Sequence, residues 1–335
     1  MKKKKLLIIG PGNIAVEHTK AFLKIGFEIG ALFASHKKSL SFQRFRKIFQ
    51  INDEEVYFNY KIINSEFLKK KKIDAVLLSS SIYIIPKILK ILLGLKIPIL
   101  VEKPVGIGVN WYKEFKNKNT NNVMVGFNRR FYGNINYIKS LITNNIGEIN
   151  NLHISIPEKI FIEKKRHFEV YKKYYSNTAH IIDLLFYLFG NFDLESKYYF
   201  NKRKKKNFFT IISNKNINGI IDFSFNSPKN FSLSFEFKKK RYVLEPIEVL
   251  NVYDKLKISQ PTNEMPLRIY QPVQTKKLFS FDNDYKIKPG FYSQALEIKR
   301  YLKKKKFSSH SANLNDAYNV QNFLRKLMKN NKFKC

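Results

Sequence analysis

Residues Gly10-Pro11-Gly12-Asn13-Ile14-Ala15 have the types and spacing of a phosphate-binding turn, G-x-G-x-x-G/A. Gly10 permits the tight turn, Gly12 lets a pyrophosphate reach the backbone, and Ala15 lets the following helix pack closely on the strand before it. Asn13 and Ile14 open that helix, whose N-terminus faces the anion. A second group able to do chemistry is Glu102-Lys103-Pro104, a charged pair at the mouth of an apolar run. Burying either charge without a purpose is costly; a surface salt bridge at a loop start is the plainer alternative. The third is His180 with Asp183, spaced to share one helix face. Histidine exchanges a proton near neutral pH, although a His and an Asp near a helix start also serve as a capping or structural pair.

These groups need elements to carry them. Residues 6–9 form the short apolar run of a parallel strand covered on both faces. Ile14, His18, Ala21, Phe22 and Ile25 recur at helical spacing, and Gly26 stands where a helix stops. Residues 27–34 supply a second apolar strand. A plain strand-turn-helix can also produce G-x-G-x-x-A, so it is the register of strand, turn, helix and strand that points to a dinucleotide. The acidic residue that would hold the ribose 2′-hydroxyl of NAD is missing. Ser35, His36, Lys37 and Lys38 stand there instead and suit a 2′-phosphate, so of NAD and NADP the lean is to NADP. Residues 40–49 read as a helix. A strand beginning near Lys72 ends in a polar turn where Ser79 and Ser80 meet the cofactor's ribose and phosphates. A helix over 86–94 and a strand over 97–101 then deliver Glu102 and Lys103.

The second half has a different period. Ile221, Phe223 and Phe225 alternate with Asp222, Ser224 and Asn226, and Phe231, Leu233, Phe235 and Phe237 alternate with Ser232, Ser234, Glu236 and Lys238. Such alternation marks strands with one covered and one polar face. Further strands are expected over 151–156, 208–212, 241–244 and 249–257, with closing helices over 291–302 and 314–328.

A length of 335 residues suffices for two domains, each with its own core. The formal charge of +36 suggests a polyanion partner. Lysine far outnumbers arginine, however, and sits in scattered short runs, whereas base-reading interfaces use arginine forks. Solvated loops and termini are the preferred reading, and no nucleic-acid partner is expected. The single cysteine, Cys335, fits a reducing cytoplasm. The apolar region 73–101 is interrupted by Pro86, Lys87, Lys90, Lys96 and Pro98, which argues against a membrane span. No metal is expected.

The fingerprint at residues 10–15, Glu102-Lys103-Pro104, Gly126-Phe-Asn-Arg-Arg-Phe131, Ile146-Gly-Glu148 and His180-Ile-Ile-Asp183 stand in the order and spacing of the Gfo/Idh/MocA oxidoreductases. The chain resembles that family over nearly its whole length. The resemblance implies an α/β Rossmann fold over 1–122 and an α+β domain over 123–335 with an open antiparallel sheet, its C-terminal helices packing back on the first domain. It further implies a nicotinamide cofactor bordered by Glu102 and Lys103, and hydride exchange with a sugar or cyclitol through Lys103 and His180. Asn128, Arg129, Asn177 and Asp183 become candidate substrate residues, and the open sheet face a means of forming a homo-oligomer. One position departs from the family's pattern: Ser176 stands four residues before His180, where the family commonly has aspartate. Ser176 and Asn177 cannot act as carboxylate bases, though either can bind a substrate hydroxyl. Their polarity fits the branch acting on nucleotide-linked sugars, as in surface-polysaccharide synthesis. A catalytically silent dinucleotide-binding sensor or scaffold and a polyanion-binding protein on a Rossmann scaffold are the alternatives.

Overall fold

The computed structural model describes residues 3–158, 177–200, 207–280 and 287–328. In it the first apolar run becomes β1 (Lys4–Ile9), followed by α1 (Asn13–Lys24), β2 (Phe27–Phe33), α2 (Leu40–Phe49), β3 (Val56–Tyr57) and α3 (Ser65–Lys71). Next come β4 (Ile73–Leu78), α4 (Ile85–Leu93), β5 (Ile99–Val101) and β6 (Val123–Val125). The six strands form one parallel sheet in the order β3-β2-β1-β4-β5-β6, the doubly wound order of a Rossmann fold. Leu6–Ile9, Ala75–Leu78 and all of β5 are buried, as strands covered on both faces must be. The boundary expected after residue 122 falls immediately before the sixth strand of this sheet.

The sheet is one part of a unit comprising Met1–Phe131 and Phe281–Asn322. The other unit, Tyr132–Ser280 with Phe323–Cys335, holds α5 (Gly133–Ile142), β7 (Asn150–Glu158) and α6 (Ala179–Phe189). Seven strands follow: β8 (Asp193–Tyr199), β9 (Phe208–Ser213), β10 (Asn218–Phe225), β11 (Ser232–Phe237), β12 (Lys240–Leu244), β13 (Val249–Ser259) and β14 (Ile269–Phe279). With β7 they form an open sheet in the order β14-β13-β12-β11-β7-β10-β9-β8. It is antiparallel except where β10 runs parallel to β7. The alternation expected in β10 and β11 is present: Ile221, Phe223, Leu233, Phe235 and Phe237 are buried, while Asp222, Ser224, Ser232 and Ser234 are partly exposed on the other face. Phe189 of α6 meets Phe235 edge-on at 5.4 Å, and Asn134 of α5 donates to the Ile247 carbonyl at 2.9 Å.

Two helices close the chain, α7 (Phe291–Lys304) and α8 (Leu314–Met328). In the first unit α7 lies along α1, where Lys299 Nζ donates to the carbonyl of Ile25 at 2.6 Å and so serves the carboxyl end of α1.

Candidate active site

The carboxyl ends of β1, β2, β4, β5 and β6 carry, in turn, Gly10, Ser35, Ser79, Glu102 and Gly126. Ligands of doubly wound sheets bind outside these ends, where the strand order reverses, here between β1 and β4. Gly10 has φ +94°, and a Cβ there would lie 2.5 Å from the Cα of Ser80, so the turn admits only glycine. Gly12 has nothing within 4 Å of a Cβ, which leaves open space above the start of α1. That helix has no side-chain cap and no acidic residue in its first turn, so its leading amides are available to an anion. The turn and the helix end fit a pyrophosphate.

Around this cradle the expected residues take distinct places. Ser79 Oγ donates to the Gly10 carbonyl at 2.7 Å and thereby fixes the turn, and Ser80 packs against Gly10. Ser35 and His36 are exposed beyond β2, beside Lys37 and Lys38. Asn13 Oδ1 accepts from the guanidinium of Arg44 on α2. Arg44 puts a cation at the fingerprint that the sequence reading missed, because nothing in its spacing ties it to residue 13.

Glu102 is buried, and its two oxygens are both engaged: Oε1 lies 2.6 Å from His18 Nε2, and Oε2 accepts from the Lys103 amide at 3.2 Å. The surface salt bridge weighed for Glu102 and Lys103 is therefore set aside for Glu102. Burial lowers the pKa of the Lys103 ammonium below the ordinary 10.5; the charge of Glu102 opposes this and that of Arg129 adds to it. In the segment after β6, Asn128 Nδ2 donates to the Pro289 carbonyl at 3.0 Å, and Gly290 packs against the Asn128 carbonyl, leaving no room for a Cβ. Arg130 is buried in an ion pair with Asp316 at 3.1 Å, while Arg129 is partly exposed.

In the second unit, Asn177 is exposed immediately before α6, and Thr178 Oγ1 donates to the buried Glu158 carboxylate at 2.6 Å. His180 is partly exposed in the first turn. Asp183, one turn on from His180, is wholly buried. The helix is buried nearly all round, so its polar residues do not form a solvent face; Lys139 satisfies its last carbonyls at Tyr187 and Leu188. Ser176 lies outside the described residues. Among the described residues no group of three His, Cys, Asp or Glu is placed to hold a metal, and no helix is long and apolar enough to cross a membrane.

No family model and no curated protein matches the chain. Solved structures do. A dehydrogenase (MviM) from Clostridium difficile is 21% identical, with a TM-score of 0.70 over 98% of this chain and 99% of that one. A levoglucosan dehydrogenase in complex with NADH and L-sorbose is 14% identical, with a TM-score of 0.72 over 98% and 96%. The UDP-N-acetylglucosamine 3-dehydrogenase of Acidithiobacillus ferrooxidans is 11% identical, with a TM-score of 0.67 over 97% of each chain. The chain thus has the fold of the Gfo/Idh/MocA-type dehydrogenases.

Proposed function

We propose that this protein is a nicotinamide-dependent oxidoreductase acting on a sugar hydroxyl. The observation that carries the reading is Lys103, an amine of lowered pKa at the carboxyl end of β5, on the same sheet edge as the Gly10–Gly12 phosphate cradle. Two proteins sharing the fold are dehydrogenases named for a sugar or a UDP-sugar, which supports the substrate class.

The bound nicotinamide would supply the hydride acceptor or donor. This chain's residues do the rest. The Gly10–Gly12 turn and the first amides of α1 hold the pyrophosphate. Lys103 hydrogen-bonds the reacting oxygen, taking its proton when the carbinol is oxidised and returning it when the carbonyl is reduced. His180 is assigned the second proton-exchanging role on the resemblance, with Asn177 as a substrate contact. Ser35, His36 and Lys37, with Arg44 beside Asn13, favour NADP over NAD. Arg129 suits an anionic substrate, and a nucleotide-linked sugar of surface-polysaccharide synthesis is the finer assignment. The open face of the second sheet is the surface assigned to pairing of identical subunits, in a protein of the cytoplasm.

Lys103→Met tests the central assignment. Turnover with the responsive sugar or UDP-sugar should fall by about a hundredfold or more, the scale of a lost acid-base group, with cofactor affinity changed less than about tenfold. Unimpaired turnover would remove Lys103 from the chemistry.

A further inference from the structure

We propose that His18 is a positioning residue for Lys103, acting through the buried carboxylate of Glu102. The inference rests on the reading of Lys103 as the reacting group. His18 lies on α1, the helix that begins at the phosphate cradle, and occupies a position that would otherwise be apolar. Its side chain is wholly buried, its ring centroid 4.4 Å from that of Phe291. An ionised carboxylate can only accept, so Nε2 carries the hydrogen in the 2.6 Å bond to Glu102 Oε1. Nδ1 is buried and makes no hydrogen bond among the described residues, so Glu102 is the polar group that the ring serves.

A carboxylate buried to this degree is costly unless charge-assisted hydrogen bonds hold it. Glu102 has two: His18 on Oε1 and the Lys103 amide on Oε2. Gly126 fits the arrangement, because a Cβ there would stand 2.6 Å from Oε1 and push the carboxylate off His18. The carboxylate is thus fixed on one side by the cofactor-facing helix and on the other by the backbone of Lys103. The charged groups acting on the Lys103 ammonium are Glu102 and Arg129, of opposite sign. Removing His18 leaves Glu102 short of a donor, so the carboxylate is no longer held in place, and both its charge and its grip on the Lys103 amide move away from Lys103.

The test uses the full chain and four variants: His18→Leu, His18→Gln, Glu102→Gln and the double variant His18→Leu/Glu102→Gln. The pH dependence of Lys103 acylation, read by peptide mass spectrometry, needs neither substrate nor cofactor. His18→Leu and Glu102→Gln should each move the Lys103 midpoint down by a similar amount, with no further movement in the double variant. His18→Gln, which can still donate to the carboxylate, should restore it. In turnover, His18→Leu should lower kcat about tenfold or more with KM within about threefold, the signature of a misplaced reacting group. A Lys103 profile in folded His18→Leu that matches the parent would overturn the proposal. Should His18→Leu not fold, Glu102→Gln, which keeps the side-chain volume, decides: an unmoved Lys103 midpoint overturns it equally. Absence of hydride transfer in the parent would count against the enzymatic reading alone, since the acylation profiles stand without it.

Discussion

Lys103 follows β5 and is acted on by two charges of opposite sign, Glu102 and Arg129. In the sequence it is a charge misplaced at the end of an apolar run; in the structure burial depresses its pKa while Glu102 and Arg129 act against each other. A lysine in this state gives up its proton at a lower pH than an exposed one, so the rising limb of kcat/KM for carbinol oxidation should have its midpoint below 10.5. Arg129→Gln removes a like charge and should move that midpoint upward. A midpoint unchanged or lowered in this variant would break the link between Arg129 and Lys103. His18 was visible in the sequence only as one more position of an apolar helical stripe. A histidine at a fully covered position implies a polar partner, but the partner lies 84 residues away and is brought near by the pairing of β1, β4 and β5. Arg130 shows the converse: beside Arg129 it could have met a substrate, and Asp316 claims it instead.

At the scale of elements, legibility followed burial. The carboxyl-terminal halves of β1, β2 and β4 are covered on both faces and read as apolar runs, Leu6–Ile9, Ala31–Phe33 and Ala75–Leu78, and β10 and β11 are covered on one face and alternate. The strand β14 was missed because it sits at the sheet edge, pairs only with β13, contains Pro272 and alternates poorly. Helix α5 was missed because it begins at Gly133 and buries Asn134, which breaks the apolar stripe. The parallel pairing of β7 with β10 has no local signature at all. On β8, Lys197 donates to the Leu327 carbonyl at 2.7 Å and lies over the Phe208 ring; burial lowers its pKa to about 8. Between about 8 and 10.5 the unfolded chain therefore binds more of this proton than the folded one, and stability rises with pH through that window. Chemical denaturation across it should show the parent gaining stability relative to Lys197→Met. A constant difference between the two would mean that burial does not perturb this amine.

For the whole molecule the dominant number is the charge of +36, from 62 basic and 26 acidic residues. At low ionic strength, self-repulsion on that scale opposes the folded state. Raising salt from about 0.01 M to about 0.15 M shortens the screening length from about 30 Å to about 8 Å, so the melting temperature should rise over that range. A fall would show that local ion pairs such as Lys4–Asp74 outweigh the net repulsion. The same charge leaves a polyanion partner as the rival account of the surface, although lysine far outnumbers arginine and the basic runs are scattered along the chain.

Everything proposed for the chemistry depends on the cradle at Gly10 to Ala15. Titration of the purified protein with NADPH and NADH, followed by the cofactor's own fluorescence, tests it most directly when repeated on Gly12→Val, whose side chain enters the open space above α1. The account predicts saturable binding, tighter for NADPH, and its loss in the variant. Binding of neither cofactor, or binding that Gly12→Val leaves intact, would contradict it.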